Sequence, residues 1–82
     1  MIRMSKKTKL TSEQVISKAV GFFGPGGWGL EVEERAACCA RFVGGGGHVF
    51  VQASDEETVT RQEVTVEGRE WENQVRQFMR EI

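Results

Sequence analysis

Long apolar runs are missing from this sequence. Among its 82 residues, no apolar run approaches the roughly 18 residues that a helix needs to cross a bilayer. The basic start of the chain, Met1 to Lys9, is not followed by the apolar stretch that a secretory signal requires. We therefore expect a cytoplasmic protein with no membrane contact.

Cysteine and histidine are also scarce. Two cysteines and one histidine fall short of a self-contained tetrahedral metal site. Because side chains alternate across a strand, the adjacent Cys38 and Cys39 are expected on opposite faces, which disfavours a disulfide and makes Cys38 a small core residue. The glycine pattern of residues 24–29 follows a predicted helix and precedes a predicted strand, the reverse of a dinucleotide fingerprint. We expect neither a metal nor a cofactor.

Positive charge is concentrated at one end of the chain. The net charge is −1, but the first ten residues contain four bases and no acid, which leaves seven bases against twelve acids in the rest. A nucleic-acid-binding domain normally carries its basic face on the folded part, so the sequence does not favour a nucleic-acid binder. We predict a flexible basic N-terminal tail over residues 1–10 and a single α+β domain over residues 11–82.

The segment from Trp28 to Ala53 predicts an antiparallel meander, because alternating residues flank a glycine turn. With residues 45–46 as the turn, Phe42 lies opposite Val49, and both belong to the face that packs into the core. The opposite face then carries the residues that we consider for binding: Cys39, Arg41, Val43, His48 and Phe50.

Two helices flank the meander. Thr11 and Gln14 form a predicted capping box, so the first helix begins at Ser12, and it ends near Phe23 because glycine and proline follow. Apolar residues at helical spacing predict a second helix from about Arg69 to the C-terminus. A segment rich in Thr and Val, residues 58–66, is predicted to form a fourth strand.

The element order is therefore α-β-β-β-β-α. We predict a two-layer α+β sandwich, a four-stranded antiparallel meander with both helices on one face. The other face of the sheet is then open, with Val43 and Phe50 forming an apolar spot on it.

The open face suggests a small non-catalytic interaction module that self-associates or binds a protein partner through this face. The first alternative is a small-ligand binder or minor thiol-dependent enzyme that uses Cys39, Arg41 and His48, in which Arg41 lowers the pKa of the Cys39 thiol. The second alternative is an accessory nucleic-acid contact through the basic tail.

Overall fold

The computed structural model describes residues 1–54 and 62–82 of the chain. Across these residues, five strands and two helices follow one another as β1 (Ile2–Thr8), α1 (Ser12–Phe23), β2 (Glu31–Arg35), β3 (Cys39–Gly44), β4 (Gly47–Ala53), β5 (Gln62–Arg69) and α2 (Glu72–Glu81). The strands form one antiparallel sheet in the order β1-β5-β4-β3-β2. The fold is α+β, as the sequence predicts, with five strands where four were expected.

The prediction of a flexible tail over residues 1–10 was wrong, because most of that segment is the edge strand β1. The strand pairs with β5 along its whole length, with Met4 opposite Val66 and Lys6 opposite Val64. The Lys6 ammonium also donates a hydrogen bond of 2.9 Å to the main-chain carbonyl of Met79, near the C-terminal end of α2, where a positive charge is favoured. Without β1, β5 would present a row of unpaired main-chain groups at the sheet edge.

The glycine hairpin between β3 and β4 has the register that the sequence predicts. Phe42 lies opposite Val49, and Gly44 opposite Gly47. Gly45 and Gly46 have φ angles of 57° and 80°, the left-handed values that a tight two-residue turn requires and that glycine adopts without strain.

The hairpin between β2 and β3 keeps the predicted meander order but contains a register shift. Arg35 lies opposite Ala40, and the pairing shifts by one residue between Val32 and Glu34. At the turn, the amide of Ala36 donates a 2.7 Å hydrogen bond to the carbonyl of Cys39. This turn contains no glycine, so the sequence provides no signal that fixes its geometry.

The first helix has the predicted boundaries. The Thr11 hydroxyl accepts a hydrogen bond from the Gln14 amide at 3.2 Å, and the Gln14 side chain accepts one from the Thr11 amide at 2.9 Å. This is the predicted capping box. The second helix begins at Glu72, three residues later than predicted, after Glu70 in the left-handed region with φ of 69°.

Both helices share one buried core with the sheet. The Phe23 ring of α1 lies 5.6 Å from the Phe42 ring of β3 and 5.3 Å from the Phe78 ring of α2. The buried apolar side chains of the described residues are Val15, Ile16, Ala19, Phe23, Leu30, Ala40, Phe42, Val49, Val51, Ala53, Val64, Val66, Val75, Phe78 and Met79.

The predicted fourth strand is observed in part. Residues 62–66 of the predicted segment belong to β5, which continues to Arg69, whereas residues 58–61 and most of the turn before them lie outside the described residues. No helix in ranges 1–54 and 62–82 is both long and apolar enough to cross a membrane.

Candidate functional site

The five residues selected from the sequence lie on the same side of β3 and β4. Arg41 is directly opposite Phe50, and Val43 is opposite His48. Cys39 is two residues before Arg41 and therefore points the same way. Because the alternate residues of these strands are buried in the core, this set faces away from it. We call this side of the whole sheet the outer face.

A single row of side chains crosses the outer face from one sheet edge to the other. Each of the five strands contributes one residue, and each residue is the pairing partner of the next. From β1 to β2, its members are Arg3, Glu67, Phe50, Arg41 and Glu34. We call this set the central row. Three of its members come from parts of the chain that the sequence analysis did not place on this face.

Two ion pairs fix charges around the central row. The Nε of Arg3 lies 3.4 Å from Oε1 of Glu67, and the Nε of Arg41 lies 3.1 Å from Oε1 of Glu33, which sits at the register shift of β2. These pairs are exposed, so each contributes about 0–1 kcal/mol to stability. Their main effect is to hold charges of known sign at known positions.

The apolar spot at the middle of the outer face is only partly exposed. Phe50, Val43 and His48 are all half-buried. The large apolar side chains that are clearly exposed in the described part of the chain are Met1 and Trp28, with exposed fractions of 76% and 48%. The outer face is thus a charged surface with an aromatic ring at its centre.

The two cysteines are arranged differently from the prediction. Cys38 lies in the turn before β3 and is exposed, so it is not a core residue. The strand begins only at Cys39, and strand alternation therefore does not separate the two side chains. Their Sγ atoms lie 2.7 Å apart, within hydrogen-bonding distance.

The pKa of the Cys39 thiol is raised to about 11 rather than lowered. The causes, in decreasing order, are the hydrogen bond with Cys38, burial of the Cys39 side chain, and the charges of Cys38 and Glu34. The nearby Arg41 is already paired with Glu33. The thiolate that a nucleophilic cysteine needs is therefore disfavoured at neutral pH.

The two tryptophans meet at one end of the sheet. Trp28 and Trp71 have ring centroids 6.2 Å apart, and the Trp71 indole nitrogen donates a 2.9 Å hydrogen bond to the Gly44 carbonyl. An added Cβ at Gly45 would lie 2.8 Å from the Trp71 ring. The glycine hairpin is thus packed against an aromatic ring and is not a free loop.

The described residues contain no group of three or more His, Cys, Asp or Glu side chains that could hold a metal ion. No family model matches this sequence, and no curated protein or solved structure gives a significant match to it.

Proposed function

We propose that this chain is a small non-catalytic interaction module in which two copies pack outer face to outer face about a two-fold axis. The proposal includes a two-layer sandwich with both helices on the inner side of the sheet. The contacts of Phe23 with Phe42 and Phe78 support that arrangement, because they join both helices to the same layer of sheet residues. The outer face is then left for a partner.

The order of charges in the central row is the observation that carries the proposal. From β1 to β2, the row is positive, negative, apolar, positive and negative, with Phe50 in the middle. The two halves of the row therefore have opposite signs at equal distances from Phe50. A two-fold interface requires a patch that is complementary to itself, and this order of charges provides such a patch.

The charges also favour one direction of the two-fold axis. An axis parallel to the strands and through β4 places Arg41 over Glu67 of the second copy, and Arg3 over its Glu34, while the two Phe50 rings meet at the centre. An axis perpendicular to the strands places each charge over the same charge of the second copy, which is repulsive. We therefore propose the parallel axis.

The size of the face indicates a weak dimer. Neighbouring strands lie about 4.8 Å apart and a six-residue strand is about 20 Å long, so five strands cover roughly 500 Å² per copy. A standard stable interface buries about 800 Å² per partner. The face is therefore suited to a transient association with a dissociation constant in the micromolar range or weaker.

A different protein partner on the same face is the nearest alternative, but the self-complementary charges favour a second copy. The thiol-dependent enzyme has less support, because the pKa of Cys39 is raised. A nucleic-acid contact through residues 1–10 also has less support, since β1 is paired within the sheet and Lys6 donates to a main-chain carbonyl. Location in the cytoplasm remains part of the proposal.

Sedimentation velocity tests the proposal on the wild type and on Phe50→Glu, from about 10 μM to about 1 mM protein, because a face of this size gives weak binding. We expect the wild type to associate as concentration rises. Phe50→Glu is expected to stay monomeric, since it places two like charges at the centre of the interface.

Trp28→Glu is the matched control, because it also replaces a partly exposed aromatic by an acid but lies outside the central row. It is expected to associate as the wild type does. A wild type that is strictly monomeric at the highest concentration would contradict self-association.

A further inference from the structure

The two neighbouring thiols form a chemical group that the proposed interaction module does not use. Cys38 lies in the exposed turn between β2 and β3, and Cys39 is the first residue of β3. Main-chain hydrogen bonds hold both ends of this turn: the Cys38 carbonyl accepts from the Ala53 amide at 2.8 Å, and the Cys39 carbonyl accepts from the Ala36 amide at 2.7 Å. The Sγ atoms lie 2.7 Å apart.

We propose that Cys38 and Cys39 are a reversible redox modification site, which a low-molecular-weight disulfide such as glutathione disulfide converts into a disulfide between the two neighbouring residues. The observations that support this proposal are separate from those that support self-association, although Cys39 lies on the outer face. The proposal rests on the proximity of the two sulfur atoms and on the exposure of Cys38.

The reaction proceeds by two exchange steps. In the first, Cys38 loses its proton and its sulfur attacks glutathione disulfide, whose S–S bond breaks as one glutathione leaves and takes up a proton. In the second, Cys39 loses its proton and its sulfur attacks the Cys38 sulfur, so that the second glutathione leaves with a proton. Two protein thiols are oxidised, and one glutathione disulfide is reduced to two glutathione molecules.

The surroundings of the two thiols favour attack by Cys38 first. Cys38 is exposed, whereas Cys39 is half-buried. The raised pKa of Cys39 also keeps its proton in place, and the hydrogen bond with Cys38 is the largest cause of that shift. Once Cys38 has formed a mixed disulfide, it has no thiol left to take part in that hydrogen bond, and this cause of the raised Cys39 pKa is removed. The sulfur of Cys39 is then beside the bond that it must attack.

A disulfide between the adjacent residues Cys38 and Cys39 is expected to be easy to reduce. Neighbouring Cα atoms are about 3.8 Å apart, whereas most disulfides join Cα atoms about 4.4–6.8 Å apart. A disulfide outside the usual range is strained, and strained exposed disulfides are the labile ones. The site is therefore suited to a reversible change, in contrast to a permanent structural crosslink.

Incubation of the purified protein with glutathione disulfide, followed by alkylation and intact-mass measurement, tests the proposal. The wild type is expected to lose two hydrogen atoms and both alkylation sites, and to recover them in reduced glutathione. Cys39→Ser is expected to stop at a glutathione adduct on Cys38. Cys38→Ser is expected to acquire much less adduct over the same time, because its remaining thiol is less exposed.

Retention of both free thiols by the wild type in excess glutathione disulfide would overturn the proposal. So would oxidation that gives only crosslinks between chains on a non-reducing gel. Equal adduct formation by the two serine variants would overturn the assignment of Cys38 as the attacking thiol. Circular dichroism of both variants verifies that each comparison is made on folded protein.

Discussion

Charge reversal at Arg41 or Glu67 is expected to weaken the association of each variant with itself while allowing the two variants to bind each other. In the proposed dimer, symmetry brings Arg41 and Glu67 together twice, once at each side of Phe50. Arg41→Glu makes both contacts acid against acid, and Glu67→Arg makes both contacts base against base. A mixed dimer of the two variants restores both attractive contacts.

The expected effect follows from the exposure of these side chains. Arg41 and Glu67 have exposed fractions of 44% and 35%, so each attraction or repulsion is a surface interaction of about 0.5 kcal/mol. Loss of an attraction and gain of a repulsion at two contacts amounts to about 2 kcal/mol, or a dimer about 30-fold weaker. High salt is expected to reduce this difference by screening exposed charges.

Sedimentation velocity on each variant alone, on their mixture and on the double variant R41E/E67R measures the effect. The mixture and the double variant are expected to associate about as well as the wild type. Lys18→Glu and Glu81→Arg, exposed positions on the helices, are matched controls that should leave association unchanged.

Three results would contradict the proposed dimer. The first is a monomeric mixture under conditions in which the wild type associates. The second is self-association of the single variants at wild-type strength. The third is a mixture that associates clearly more strongly than the wild type, since a perpendicular axis would make the wild-type contacts repulsive and those of the mixture attractive. Thermal unfolding of each variant verifies that it is folded, so that a loss of association cannot be caused by unfolding.

Two further predictions concern stability and use urea unfolding. Gly45→Ala is expected to lower the free energy of unfolding by about 2–3 kcal/mol, because the residue has a left-handed φ of 57° and its new Cβ would lie 2.8 Å from the Trp71 ring. Gly46→Ala is expected to lower it by about 1 kcal/mol, because φ is 80° but the space around the new Cβ is open. Equal losses would show that the indole contact is unimportant. Met4→Asp, a half-buried position opposite Val66, is expected to cost about 2 kcal/mol, whereas Ser5→Asp on the outer face is expected to cost little. A negligible effect of Met4→Asp would contradict the placement of β1 in the sheet.

The elements that the sequence predicts correctly depend on short-range chemistry. The capping box of Thr11 and Gln14 fixes the start of α1 through two hydrogen bonds within one turn. The glycine pair at residues 45–46 fixes the register of β3 and β4, because it supplies the two left-handed conformations of a tight turn. That register places Phe50 on the outer face, as predicted.

The elements that the sequence does not predict depend on distant pairings or on turns without a strong signal. In residues 1–10, the alternation of Ile2 and Met4 with polar residues is only a weak strand signal. The segment becomes a strand because it pairs with the edge of β5, which would otherwise have unpaired main-chain groups. The turn before Cys39 contains no glycine. Its geometry brings the two thiols together, contrary to simple alternation along a strand.

The two helices, the glycine hairpin and the five outward residues near its centre could be predicted from the sequence, because each follows from contacts between residues close together in the chain. The row that Arg3, Glu67 and Glu34 complete through Phe50 could not be predicted in this way, because it depends on how the strands pair in the folded sheet. These residues belong to three different strands, and pairings between distant segments brought them into line. The order of charges that makes the outer face complementary to itself is therefore a property of the assembled sheet.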